Sequence, residues 1–461
     1  MENKVFKILT GLTFLLSAIL LISFMASPTI GLDSGFYLAI CREFYSGKVY
    51  FHEIGIPYTP LSIITFGIPF LFDDMPNYRW HLLINVLITI GSSFVFYGIL
   101  KRISSNKSRN IFFASIFILL SFIFDGRHLM LEPLSVFFQL LALYFYLNFR
   151  EQDTFKNLFL SGITICLAFL SKQYGLFILL PIAADLILHK KEKLKSILLL
   201  SVGMLIPLVL FFGYLSSYGV SFIEFLKFLL GKGTEFDNGN GTAINASNTS
   251  HLIELLYFIL FNLYWLVIPA LLVLYIKVLD RKKLLFILLF LSSLIVLKFA
   301  TYFHYFLYVV PYSLILFAYL FSFSNHKNVN LVSYILLGGS FCFWTLYIGL
   351  TLKNGNQSYI NKQQEEIKIL NSHIPEKSKV YLDGPSPALY YLCDFQSINL
   401  KRISFIFPDY FFPKSIANNM GSGAYIVTPM KKQETYENLL EEELVKKIVL
   451  GGKEYVILRQ K

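Results

Sequence analysis

Asp33 directly follows the first long apolar run, in Leu32-Asp-Ser-Gly-Phe-Tyr-Leu-Ala-Ile-Cys-Arg-Glu-Phe-Tyr-Ser-Gly-Lys-Val-Tyr50. A carboxylate where a membrane helix emerges costs free energy to keep there, so it is a functional candidate by default. Tyr37, Arg42 and Tyr58 follow it; Arg127, His128 and Glu132 come later in Arg127-His-Leu-Met-Leu-Glu132-Pro, then Lys172, Lys298 and His304. A placed carboxylate can take the proton of a hydroxyl nucleophile as a bond forms. Fixed cations can meet negative charge growing on a departing group. Such a set suits transfer of a group to a hydroxyl with an anionic leaving group. Each residue also has a plainer reading. Asp33 could cap the loop helix, Arg42 could pair with its neighbour Glu43, and Lys298 could snorkel to the interface. His128 and His304 could be interfacial histidines, and Glu132 a favourable charge at a helix N-terminus.

The elements that must position these residues are membrane helices. The chain has 461 residues, 55% hydrophobic and only 15% charged, with 47 Phe and a mean hydropathy of +0.59. Apolar runs near twenty residues recur, each long enough to cross a hydrocarbon core of about 30 Å. Helices satisfy their own backbone hydrogen bonds in lipid, and the pattern predicts about eleven spans. The first, from about Phe6 to Met25, lacks a small-residue cleavage site and reads as a retained helix.

Basic residues fall in every second short loop: Lys4 and Lys7, then Lys101 to Arg109, Arg150 with Lys156, Lys190 to Lys195, Arg281 to Lys283 and Lys327. These loops face the cytoplasm by the positive-inside rule. The N-terminus is then cytoplasmic, and the stretches carrying Asp33, Arg127, Lys172 and His304 lie outside. Positive-inside bias accounts for the net charge of +11 without nucleic-acid binding. The four cysteines are scattered without metal or redox spacing; Cys41 with Cys393 is the one disulfide pairing the reading leaves open.

Composition changes after about Leu352. Residues 1–352 form the membrane domain, and 353–461 a small extracytoplasmic α/β domain. A helix near Gln363 to Ser372 precedes β-like runs at Lys379–Leu382, Gly423–Thr428 and Glu454–Leu458, with a charged amphipathic helix expected from Glu434 to Lys447. The Gly- and Asn-rich outer stretch 231–250 reads as a mobile loop or lid.

The order of short motifs resembles GT-C glycosyltransferases of family 39, which includes protein O-mannosyltransferases and lipid A aminoarabinose transferases. In that family an Asp ends the first span, a Tyr follows on the loop helix, and Lys-Pro-Pro-Leu closes the loop. Here Asp33 and Tyr37 match, while Ser34 replaces a Glu and Tyr58-Thr-Pro-Leu61 replaces Lys-Pro-Pro-Leu. Glu132-Pro stands where the family more often has Asp before Pro. Leu170-Ser-Lys172 resembles a Leu-x-Lys element, and His304-Tyr…Pro311 an Arg-Tyr…Pro segment.

The resemblance implies a polytopic α-helical membrane enzyme of GT-C type in the plasma (inner) membrane. It implies transfer, with inversion, of a sugar from a polyprenyl-phosphate donor to a glycolipid, polysaccharide or protein acceptor. Asp33 would be the base and Glu132 a second catalytic carboxylate. Lys172, Arg127, His128, His304, Arg42 and Lys298 would serve the donor phosphate, with Tyr37 and Tyr58 lining the substrate. No cofactor is expected; with no Asp-x-Asp cluster in an outer loop, no divalent metal is required. A flippase for lipid-linked sugars, or a non-catalytic scaffold for the tail domain, is the competing reading. A transporter would be expected to carry mid-membrane ionisable groups and internal repeats.

Overall fold

The computed structural model describes residues 2–26, 30–51, 54, 58–189, 192–229, 281–299, 303–320, 338–339, 342, 344–346, 348–349, 357–383, 385–386, 388–397, 422–437 and 442–460. The first helix, α1 (Glu2–Ala26), is followed by the outer-loop helix α2 (Leu32–Tyr45), the short α3 (Leu61–Phe66) and a 3-10 turn at Ile68–Leu71. The loop helix that follows the first span is thus present, and residues 61–71 after it are largely helical. Two long helices come next, α4 (Tyr78–Leu100) and α5 (Lys107–Ser121). Each starts at an asparagine whose side chain accepts a backbone N–H: Asn77 from Arg79, 3.0 Å, and Asn106 from Arg109, 3.1 Å. Capping of this kind satisfies donors that the first turn leaves free.

Helix α6 (Glu132–Gln152) has a proline in its first turn, where its missing N–H costs nothing. It packs between α4 and α7 (Phe155–Ser171). After a 3-10 turn at Gln173–Ile178 come α8 (Leu179–His189), α9 (Lys193–Ser217) and α10 (Phe222–Leu229). Helices α7 and α9 meet through Gly162 and Gly203: a Cβ on either would run into the other helix's backbone. Small residues permit this close approach of membrane helices. Two more helices, α11 (Arg281–Phe299) and α12 (Val310–Leu320), flank a 3-10 turn at Phe303–Tyr308.

Among the described residues, four helices are long and apolar enough to cross a membrane: Lys4–Ala26, Tyr78–Leu100, Lys107–Gly126 and Lys193–Ser217. Shorter apolar helices at Phe155–Ser171, Gln173–Leu188 and Val310–Tyr319 accompany them. The expected spans in 252–280 and 328–352, and the proposed lid at 231–250, fall wholly or largely outside the described residues. The chain is a multi-pass membrane protein.

The tail holds α13 (Gln357–Asn371) and a five-stranded sheet of β1 (Lys379–Leu382), β2 (Gln396–Ser397), β3 (Tyr425–Pro429), β4 (Glu442–Leu450) and β5 (Lys453–Gln460). The short helices α14 (Ala388–Leu392) and α15 (Gln433–Glu437) complete it. Strand order is β2-β1-β3-β5-β4, with β1 parallel to β2 and β3, and β5 antiparallel to β3 and β4.

The helix expected over Glu434 to Lys447 is a correction. Among the described residues of that window, helix is confined to Gln433–Glu437, and residues 442–450 form β4. The run Leu444-Val-Lys-Lys-Ile-Val-Leu450 is rich in β-branched residues. Gly451 and Gly452, at φ 56° and 79°, turn it into a hairpin with β5. Two successive positive φ values make the tight turn that matches strand twist. The disulfide is absent as well: Cys41 and Cys393 are buried free thiols, with Cys41 Sγ donating to the Ile63 carbonyl, 3.3 Å.

Candidate active site

Asp33 sits in the first turn of α2, where a negative charge is favoured by the helix dipole. It is not the cap: Gly31 occupies that position and no side chain caps the helix. Asp33 is half-exposed, and among the described residues no hydrogen bond or ion pair engages its carboxylate. Tyr37, one turn on, is buried beside it, and the Tyr58 ring stands 6.1 Å from that of Tyr37.

Three residues from three separate helix ends converge behind this pair. Glu132 at the start of α6 and Lys172 just past the end of α7 form an ion pair with both side chains at 0% exposure. His304, on the turn before α12, places Nε2 3.6 Å from Glu132 Oε1. Glu132 Oε2 is buried without a hydrogen-bond partner among the described residues. The Lys172 ammonium lies over the rings of Tyr305, 4.6 Å, and Tyr58, 5.2 Å. Ring faces attract a desolvated cation, so Tyr58 and Tyr305 help hold the buried Lys172 charge. The charges of Lys172, Glu132 and Asp33 all bear on Tyr37 and Tyr58. Burial pushes the Tyr58 hydroxyl up to about 12 and raises that of Tyr37 too, so both remain neutral phenols.

The loop after α5 supplies the rim. A π-turn at Phe122–Gly126 carries Asp125 at φ 61°, a conformation uncommon for a non-glycine residue. Asn85 of α4 secures this loop, its side-chain amide donating to the carbonyls of Gly126, 2.7 Å, and His128, 2.6 Å. The fields of Asp33, Glu132, Arg127 and His304 all reach Asp125. Asp125 and Asn85 were not among the sequence candidates. Asp125 carries the same signal as Asp33, a carboxylate at the outer end of an apolar helix; a lone Asn inside an apolar run carries none.

Of the remaining candidates, Arg127 is half-buried, with its guanidinium carbon 6.0 Å from the Phe24 ring centroid. His128 Nε2 is 4.0 Å from Asp125 Oδ1. Burial, with Arg127 adding to it, holds the His128 imidazole down to about 3, so it contributes no positive charge near neutral pH. Arg42 stands nine residues beyond Asp33, about two and a half turns, and therefore on the opposite face of α2. There it pairs with Asp394 and donates to the Phe395 carbonyl, 3.2 Å, instead of facing the cluster. The Lys298 side chain lies outside the described residues. Among the described residues, no group of three or more His, Cys, Asp or Glu is placed to hold a metal ion.

An apolar groove of about 500 Å³ runs between α1, α4 and α5, lined among others by Phe14, Leu21, Phe94 and Ile118. It ends at Phe122, the first residue of the turn that carries Asp125.

A family model described as dolichyl-phosphate-mannose-protein mannosyltransferase matches residues 39–230. The matched segment contains Tyr58, Arg127, Glu132 and Lys172; Asp33 and Tyr37 precede it and His304 follows it. Among solved structures the chain is similar to ArnT from Cupriavidus metallidurans in the apo state. Identity is 13%, coverage 97% of this chain and 98% of that one, and the TM-score 0.65. The same protein bound to undecaprenyl phosphate is similar at 15% identity, with the same coverage and TM-score. No curated protein matches this chain in sequence. The resemblance to GT-C glycosyltransferases of family 39 read from the motifs is thereby borne out, and the shared fold extends through the tail.

Proposed function

We propose that this chain transfers a sugar from a polyprenyl-phosphate donor to a hydroxyl of an acceptor on the extracytoplasmic side, with inversion at the sugar's anomeric carbon. The observation that carries this reading is Asp33, half-exposed and without an ion pair among the described residues, near the buried Glu132–Lys172–His304 cluster. As the acceptor oxygen forms its bond to C1, Asp33 takes the hydroxyl proton. The C1–O bond to phosphate breaks on the opposite side, and polyprenyl phosphate departs with the electron pair. No protein nucleophile is needed, in keeping with a single displacement.

The leaving phosphate gains charge and needs fixed cations. Arg127, half-exposed at the rim, and His304, behind Asp125, are the groups that meet it. Lys172 does not open to the surface; held by Glu132, it keeps a positive charge under the site whose field crosses Tyr58. The groove ending at Phe122 suits the donor's prenyl chain, being apolar and open along the bundle. Undecaprenyl phosphate in the ArnT structure supports a polyprenyl-phosphate donor here. The acceptor is a glycolipid, a polysaccharide or a protein hydroxyl.

The test is sugar release from radiolabelled polyprenyl-phosphate donors in membranes carrying equal amounts of wild type or Asp33→Asn. Loss of turnover by a factor of about 10² to 10⁴ with donor binding retained is expected for a missing base. Equal turnover would remove Asp33 from that role, and no release by the wild type itself would favour transport of the lipid-linked sugar instead.

A further inference from the structure

The face of α2 that points away from Asp33 is occupied throughout by the tail. Gly35, Ala39 and Arg42 recur at four- and three-residue spacing and so share one face. Gly35 packs so closely on Ala388 of α14 that a Cβ there would overlap the Ala388 backbone. Ala39 is part of the tail's own hydrophobic core with Leu370, Val380, Leu389 and Phe395. Arg42, only 18% exposed, pairs with Asp394 and the Phe395 carbonyl. At the other end, Gln363 of α13 donates to the Ile30 carbonyl, 2.7 Å, just before α2 begins. Tyr391 of α14 anchors the same region by donating to the Pro76 carbonyl.

We infer that the tail domain is the rear support of the Asp33 helix, and that Gly35, Arg42 and Asp394 are positioning residues for the base. The inference rests on Asp33 being that base. Three physical facts carry it. The helix is only 14 residues long and follows a short connection, so its placement depends on what it packs against. Its two faces are divided, with Asp33 and Tyr37 toward the cluster and Gly35, Ala39 and Arg42 toward the tail. Finally, the tail grips both ends, at Ile30 and at Arg42, which fixes the axial position of the helix as well as its rotation. Groups that must meet a reacting atom lose rate steeply when displaced by an ångström.

The experiment compares Arg42→Asp, Asp394→Arg and the exchanged pair in the full-length chain in detergent. Amide hydrogen exchange is read across residues 32–45 and 132–152, alongside turnover of the donor. Each single variant is expected to raise exchange in 32–45 by about tenfold while 132–152 stays protected. Each is also expected to lower kcat about tenfold, the equivalent of ~1.4 kcal/mol at the transition state, with the donor KM changed less than about twofold. The exchanged pair recovers both. Unchanged protection of 32–45 in the single variants, or an exchanged pair no better than either, overturns the proposal. Asp394→Asn, which removes the charge without reversing it, gives the same reading if Asp394→Arg does not accumulate. Exchange is read without turnover. Single variants that lose protection of 32–45, beside a wild type that never releases sugar, sink the transferase reading and leave the support of α2 by the tail standing.

Discussion

Lys172 and Glu132 are a fully buried pair, and such pairs are costly to break by halves. Removing one partner strands the other as an uncompensated charge, a loss of about 3–5 kcal/mol, whereas replacing both with apolar groups is often close to neutral. Lys172→Met should therefore lower the unfolding temperature of the detergent-solubilised protein strongly, and Lys172→Met with Glu132→Leu should regain most of it. Turnover should not return in the double variant, because the charge beneath Tyr58 is gone. His128 makes a second prediction at this scale. Its folded imidazole titrates at about 3 against an unfolded value of about 6.5. Between those values the unfolded chain binds the extra proton, so stability is intact above about pH 6.5 and declines as pH falls toward 3. His128→Gln should flatten that decline in thermal unfolding measured from pH 7 to pH 4.

At the scale of elements, the α7–α9 crossing depends on two glycines. Gly203→Val should force the helices apart and cost about 1–3 kcal/mol, as overpacking of a close contact does. Its signature would be faster proteolysis of the bundle, while Gly213→Val, with open space at its Cβ position, should be neutral in the same assay.

Much at this level was legible from sequence. The loop helix and three of the strands follow from periodicity and turn residues. The β4 strand was misread as helix because Glu434 to Lys447 alternates charge with apolar residues at a spacing both structures tolerate. The deciding signal, Gly451-Gly452, lies just beyond that window. The convergence of Glu132, Lys172 and His304 was legible only as family order, since their sequence separation says nothing of distance. The π-turn that presents Asp125 was not legible at all, being set by backbone strain and by Asn85 from another helix.

For the whole molecule, the charge pattern assigns Lys107 to the cytoplasm and the tail to the outside. With Cys342 replaced by serine, Ser422→Cys in intact cells should react with a membrane-impermeant maleimide, and Lys107→Cys only after permeabilisation. Labelling of both from outside would overturn the orientation. Among the described residues, the tail meets the Asp33 helix on the face of α2 that points away from Asp33.

The strand order has a consequence in the time of synthesis. Strand β5, last of the five in the chain, lies inside the sheet and joins β3 to β4. Domains fold as they leave the ribosome, earlier parts first, so α2 is made and carried across the membrane long before the strand that completes its backing. A nascent chain with every membrane helix inserted would still hold Asp33 on an unsupported helix. A stop codon placed before β5 should yield an inserted protein without activity, because the sheet behind α2 would lack the strand that joins β3 to β4.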